Sequence, residues 1–395
     1  MRIAVSSYTA TSALGAGIGS IRESISSNRS GLRYCDLENC DLDTWIGRVK
    51  DVESTALPAH LSHLNSRNNR LAWLGLQQDG MLTSLDQLKG RIGADRIGIV
   101  MATSTASIGR TEEAYCRLEP SGQMAQAYRQ PAVHTLHSPG FFVAEATGLQ
   151  GPSMTISTAC SSGAKVFATA WRWIKHGLVD AALVGGVDSL CLTVMYGFNS
   201  LELLSANPCR PFDRLRDGIN IGEAAGFALL TRSDLAPAAE FALLGYGESS
   251  DAYHMSHPHP EGKGAIAAMT QALKRARLPS TEIDYINLHG TATKANDLIE
   301  TYALAQCFPT PTLASSTKGW TGHTLGTAGI LEAIITLESM KYGIVPGTLN
   351  CEETDPEFSF PIMMQNIESP IRTAMSNSFG FGGNNATLIF GRTND

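Results

Sequence analysis

Ser153-Met154-Thr155-Ile156-Ser157-Thr158-Ala159-Cys160-Ser161-Ser162-Gly163 reads as a short strand, a turn of small residues and the start of a helix. The apolar run Ala164–Trp173 continues that helix. A buried strand feeding directly into a helix is the repeating unit of layered α/β folds. It also places Cys160 at the positive end of a helix dipole, which is expected to lower its pKa and favour thiolate. A lone cysteine in such a place is ordinarily structural. The polar residues downstream give this one another meaning.

Working outward, the same grammar occurs twice. In the second half, strand-like Phe241–Tyr246, Asp284–Leu288 and Thr312–Ser316 alternate with helix-like Ala265–Arg277, Ala295–Gln306 and Gly326–Lys341. Two closing strands lie near Arg372–Asn377 and Ala386–Phe390, so the order is βαβαβαββ. The first half repeats it with insertions. Its strands are near Ile3–Ser7, Arg96–Met101, Met154–Ser157, Ala181–Val187 and Ala225–Leu230, and its helices near Ile18–Ser27, Arg70–Leu88 and Ala164–Ile174. The stretch Thr111–Gly140 has no clear period and reads as an insertion. Arg232–Glu240, with Pro237, is the expected joint, giving halves 1–236 and 237–395. Such a duplication would bring the helix starts after Cys160 and after His323 together near one axis.

Composition bounds the function. The 395 residues carry a net charge of −7 with no basic tract, which argues against nucleic acid as the main partner. Eight scattered cysteines form no CxxC pair, so neither a disulfide framework nor a thiolate zinc site is expected. The N-terminus turns polar at Ser6-Ser7, and no apolar run reaches membrane-spanning length. A reducing cytoplasm fits these features.

His289 (Asn287-Leu288-His289-Gly290-Thr291) and His323 (Thr321-Gly322-His323-Thr324) both sit at strand-to-helix turns. Two histidines and a cysteine in parallel contexts point to one shared site, in which neutral imidazoles could donate to a carbonyl that becomes negative. Lys318 is expected to emerge at the end of a buried strand, with Glu300 as its candidate ion-pair partner. The run Asn377-Ser378-Phe379-Gly380-Phe381-Gly382-Gly383 is glycine-rich, but a strand follows it, so a phosphate loop is excluded. Phe379, Phe381 and Gly382 are better read as an oxyanion donor and an aromatic lid. The near-fingerprint Gly15-Ala16-Gly17-Ile18-Gly19 lacks its last glycine. His254, His257 and His259 lie in a proline-rich loop that reads as a solvated or gating loop rather than a metal site.

Taken in order, Thr158-Ala159-Cys160-Ser161-Ser162-Gly163, Arg210-Pro211-Phe212-Asp213, Ser249-Ser250-Asp251-Ala252-Tyr253-His254-Met255, His289-Gly290-Thr291, Lys318 with Gly322-His323, and the Phe379–Gly383 loop resemble the elongating β-ketoacyl-acyl-carrier-protein synthases of the thiolase superfamily. The resemblance runs from the first strand to the last. It implies a thiolase fold with a five-layered α-β-α-β-α core, no cofactor and no metal. It implies a nucleophile at Cys160, decarboxylation assisted by His289 and His323, and ordering of those histidines by Lys318 and Glu300. An oxyanion hole of Cys160 and Phe381 N–H groups, a gate at Phe381 and a nearby loop residue at Asp251 also follow. Acyl- and malonyl-loaded carrier protein and a homodimer or a heterodimer with a chain-length subunit are the implied partners. Arg67 and Arg70 are the expected carrier-protein patch, and Thr105 the expected gate of the acyl pocket across a dimer interface. Ala292-Thr293-Lys294 and Asn384 depart from the usual run, which leaves primary fatty-acid and specialised polyketide or aryl-polyene pathways both open. A thiolase would need a second cysteine near the last glycine loop, a CoA-primed enzyme an asparagine at His323, and a chain-length subunit no Cys160.

Overall fold

A computed structural model describes residues 2–393. Ten principal strands run in chain order as β1 Ile3–Ser12, β2 Ile97–Ala102, β3 Ser153–Ile156, β4 Ala181–Asp188, β5 Ala224–Arg232, β6 Phe241–Ser250, β7 Tyr285–Asn287, β8 Leu313–Ser315, β9 Thr373–Gly380 and β10 Asn384–Arg392. The helices that matter below are α1 Gly17–Ser26, α2 Arg67–Leu76, α3 Met81–Ile92, α4 Ser162–Lys175, α5 Lys263–Ala276, α6 Lys294–Cys307 and α7 Ala328–Tyr342.

The duplication is visible in the strand order, β3-β2-β4-β5-β1 followed by β6-β10-β9-β7-β8. Read from its outer edge to the seam, each block uses its own strands in the order third, second, fourth, fifth, first. The blocks meet at a short antiparallel seam, where Ile3, Ala4 and Val5 face Leu243, Ala242 and Phe241. Within each block three strands are parallel and the rest antiparallel. The inner parallel strands β2 and β7 are buried on both faces along their whole length, because helices cover them on either side, whereas β3 at the sheet edge is partly exposed. This is the thiolase fold.

Three apolar clusters define its layers. The central one joins α4 and α7 to the inner faces of both blocks, through Val166, Phe167, Ile330 and Ile334. A second lies under α2 and α3 on the outer face of the first block. A third lies under α5 and α6 on the outer face of the second. Helix α7 is buried on every side from Ala328 to Met340, which is why its sequence shows apolar residues all round instead of one stripe.

The two central helices cross at close range. A Cβ at Gly163 would lie 2.6 Å from the Ile330 nitrogen and 2.8 Å from the Gly326 oxygen. A Cβ at Gly329 would lie 2.5 Å from the Ala164 nitrogen. Only hydrogen side chains allow backbone to touch backbone there.

Two local readings are corrected. The expected single helix Arg70–Leu88 is two, because Asp79 and Gly80 are left-handed (φ 52° and 72°) and stop the helix. Asp79 then accepts from Thr9 Oγ1 (2.7 Å) and the Ile18 N–H (3.0 Å), tying the break to α1. The aperiodic stretch Thr111–Gly140 contains most of one short helix, Ile108–Cys116, and the start of another, Ser138–Thr147.

Gly163→Ala places a methyl group against rigid backbone and is expected to destabilise the fold by about 1–3 kcal/mol. Gly90→Ala, on the exposed face of α3 with no heavy atom near its Cβ position, should instead stabilise by about 0.5–1 kcal/mol. Denaturant midpoints of the two variants moving in the same direction would contradict the crossing.

Candidate active site

Cys160 lies just ahead of α4, and His323 lies between the short helix Lys318–Thr321 and α7. The crossing of α4 and α7 therefore sets the sulfur against the imidazole, and His323 Nε2 is 3.0 Å from Cys160 Sγ. His289 comes from the end of β7. Its ring stands edge-on to that of His323, with centroids 5.6 Å apart. The sulfur and one nitrogen of each histidine lie within 4.8 Å of one another, and all three side chains are buried.

One backbone donor and one side-chain donor fix the tautomers. The Leu325 N–H donates to His323 Nδ1 at 3.1 Å, so the ring proton sits on Nε2, facing the sulfur. Lys318 Nζ lies 3.3 Å from His289 Nδ1, so the ammonium donates there and the His289 proton sits on Nε2. Burial, then the positive charge of Lys318, holds both histidines well below the usual imidazole range. The two rings are thus neutral N–H donors. The same tautomers leave no lone pair on His323 facing the sulfur, so the trio is arranged for hydrogen bonding rather than for a metal.

Lys318 does emerge beyond β8, but its ion-pair partner is Glu332 and not Glu300. Nζ lies 2.5 Å from Glu332 Oε1, with both side chains almost completely buried, and it also bonds the His289 carbonyl. Glu300 instead accepts the N–H groups of His289 and Gly290, each at 2.8 Å. Burial lifts Glu300 to about 7 against those two donors, and Glu332 to about 7 against Lys318. Glu332 was not foreseen. Its signal is an acid inside an apolar helix, which requires a buried partner.

Cys160 departs from the helix-dipole expectation. Burial pushes its thiol up to about 11. Lys318 and the N–H groups of Phe381 and Cys160 itself act in the opposite direction without overcoming it.

A cavity of about 500 Å³ opens onto Cys160, His289 and His323, walled by Phe198, Phe379 and Phe381. The Phe381 ring lies 5.8 Å from Phe198, and Phe379 lies 6.1 Å from His289. Gly382 donates its N–H to the Met255 carbonyl at 2.7 Å, fastening the turn to the loop after Asp251. Asp251 lines the cavity, receives Asn385 Nδ2 at 2.9 Å and the His259 N–H at 3.0 Å, and donates its own N–H to Gly383. His257 faces the cavity, while His254 is exposed and lies 3.1 Å from it, Nδ1 to Nδ1.

Two expected sites lie away from the cavity of this chain. Thr105 is outside the cavity wall of this chain. Its N–H and hydroxyl both donate to the buried Asp188 at 2.8 Å. Arg67 is no free basic surface group, since it bridges Glu53 (2.5 Å) and the fully buried Glu223 (2.6 Å). Arg70 is turned to the Val52 carbonyl and to Asn65. Both arginines close contacts within the fold, and the Arg67 contact is hidden in the sequence because Glu223 is 156 residues away.

A cysteine and two neutral histidines on a thiolase fold, around a partly apolar cavity, define a condensing acyltransferase. Comparison with known proteins agrees. Family models described as "Beta-ketoacyl synthase, N-terminal domain" and "Beta-ketoacyl synthase, C-terminal domain" match residues 70–236 and 241–352. A 3-oxoacyl-[acyl-carrier-protein] synthase 2 of Synechocystis is 35% identical over 315 residues, 76% of each chain. A mitochondrial 3-oxoacyl-[acyl-carrier-protein] synthase of Arabidopsis thaliana is 42% identical over 262 residues, 62% of this chain and 57% of that protein. The ketosynthase ApeO of Xenorhabdus doucetiae, solved in complex with its chain length factor ApeC, superposes with a TM-score of 0.88 at 38% identity, covering 99% of this chain and 98% of the other. The chain belongs to the β-ketoacyl synthase family, with a Cys-His-His triad. Among the described residues no helix is long and apolar enough to cross a membrane.

With its thiol pKa raised to about 11, Cys160 gains thiolate only as pH climbs toward that value. Its alkylation by iodoacetamide is expected to rise about tenfold per unit between about pH 7 and 9. A plateau below pH 8, read by peptide mass, would show instead that the donors around the sulfur outweigh its burial.

Proposed function

We propose that this chain catalyses the decarboxylative condensation of a malonyl group with an acyl group, both delivered as thioesters of an acyl carrier protein. The observation that carries this reading is the convergence of Cys160, His289 and His323 on one cavity, with both imidazoles fixed as neutral donors.

The steps follow from the geometry. Cys160 thiolate attacks the acyl thioester carbon, a new carbon–sulfur bond forms, the bond to the carrier's sulfur breaks, and the carrier leaves as its thiolate, which takes up from solvent the proton that Cys160 gave up. The N–H groups of Cys160 and Phe381 face the sulfur and are placed to steady the oxyanion. The malonyl thioester then enters. Its carbonyl oxygen accepts from the Nε2–H groups of His289 and His323. The carbon–carboxylate bond breaks, CO2 leaves, and the electron pair moves into an enolate held by those two donors. The enolate carbon attacks the acyl-Cys160 carbonyl, a carbon–carbon bond forms, and thiolate is released. Lys318 positions His289 and keeps it neutral, and Glu332 balances the charge of Lys318. The Phe379–Gly383 turn serves as the gate over the sulfur.

The second part of the proposal is a paired assembly with a related chain in a specialised polyketide or polyene pathway. It is supported by the likeness to the ApeO ketosynthase, whose structure holds a chain length factor. The terminal strand β3 also supports it. That strand leaves a sheet edge open, with Ser153 and Met154 exposed and Phe141 exposed beside them. Size-exclusion with light scattering, alone and with a candidate chain-length subunit, separates a homodimer from a heterodimer, and a monomer in both would remove this part.

Incubation with acyl-loaded carrier protein is expected to add one acyl mass to Cys160 and none to Cys160→Ser, because the alcohol has no dedicated base. His323→Ala should still load acyl groups but lose CO2 release from malonyl-carrier protein by about 100-fold or more. Decarboxylation surviving while acylation is lost would reverse the assigned roles.

A further inference from the structure

The gate turn is held from two sides. On one side, Gly382 and Gly383 (φ 75° and 70°) bend the chain so that Gly382 N–H, the Gly383 carbonyl and Asn385 all bond to the segment Asp251–Met255. On the other, Lys165 Nζ donates to Asn384 Oδ1 at 3.0 Å. Lys165 sits on α4, one turn beyond Cys160. Among the described residues this is the one side-chain hydrogen bond between the turn and the nucleophile's helix. The lysine is half-buried and has no carboxylate in contact. The nearby Glu248 is already paired with Arg172 at 2.5 Å. The link to Asn384 is one bond, made by a long flexible side chain, against three on the opposite side, so it is the contact that parts first when the turn moves.

We infer that the Lys165–Asn384 contact is a latch that sets the resting position of the Phe379–Gly383 gate over Cys160. The inference rests on the reading of that turn as the gate. Swinging Phe381 away from the sulfur, to admit an acyl chain, pulls Asn384 from Lys165 while the Asp251 side acts as the hinge. Lys165 is therefore a positioning residue. It acts on the reacting sulfur through the turn and does not touch substrate.

The latch makes opposite predictions for two substitutions. Lys165→Met removes the donor, so the gate opens more often. Iodoacetamide alkylation of Cys160 is expected to rise about two- to tenfold, and acyl loading to rise with it. Condensation kcat should fall, because the Phe381 N–H is no longer held beside the sulfur. Asn384→Asp turns the contact into an ion pair. It should slow alkylation and loading by a similar factor. In the Lys165→Met background, Asn384→Asp should lose that slowing effect, since its partner is gone. A general loss of packing would move both single variants in one direction and leave their effects additive, and either result overturns the latch. Far-UV circular dichroism and the denaturant midpoint identify a variant that fails to fold, and Lys165→Gln then replaces Lys165→Met. Alkylation reads the latch whether or not the chain condenses malonyl groups. Failure of wild-type acylation on Cys160 would sink the proposed reaction separately.

Discussion

The approach of α4 to α7 at Gly163, Gly326 and Gly329 is the constraint from which the site follows. Cys160 and His323 belong to different halves and are separated by 163 residues, yet each lies next to one of these helix starts. Their separation of 3.0 Å is set by backbone touching backbone, a contact much stiffer than one between side chains. Glu332 projects from the second turn of α7 to Lys318, and Lys318 reaches His289. The second histidine is thus referenced to the same helix as the first. A side-chain network tied to one rigid element holds its geometry without help from substrate.

Burial is the second organising factor. Asp188, Glu223, Asp297 and Glu300 are all buried, and each collects backbone N–H groups from a loop that has no other way to satisfy them. Removing such groups from water is costly, so each carboxylate fixes its loop firmly once its donors are in place. The same desolvation keeps both histidines neutral and raises the Cys160 thiol. Lys318 supplies the buried cation that moderates the last effect, and the charge of Glu332 works against it.

Much of this was legible because it follows local rules. The alternation of strands and helices disclosed the duplicated fold, and small residues at strand ends marked Cys160, His289 and His323. What escaped was non-local. Glu332 is hidden in an apolar run, and its partner Lys318 can be told from the alternatives only when α7 is docked. Arg67 looks like a solvated helix start, since Glu223 lies 156 residues away. Thr105 reads as a gate across a dimer interface, and its anchoring on Asp188, 83 residues away, has no local signal. The helix break at Asp79–Gly80 had a readable signal in the Asp-Gly pair, but apolar residues on both sides outweighed it. The thiol was misjudged for the same reason, because a dipole is visible in a sequence and burial is not.

The enclosure of α7 has a consequence for how the chain becomes folded. Ile330 packs on Gly186 and Gly226 of the first block, and Ile334 packs on Gly226, while the helix belongs in sequence to the second. Neither half alone can cover it, and a severed second half would present a continuous greasy rod to water. The duplicated halves therefore form one cooperative unit rather than two independent domains, and the catalytic trio exists only after both are complete. On a ribosome that emits the chain in order, the first half waits with its inner face open until α7 arrives, and exposed apolar surface of that kind favours aggregation.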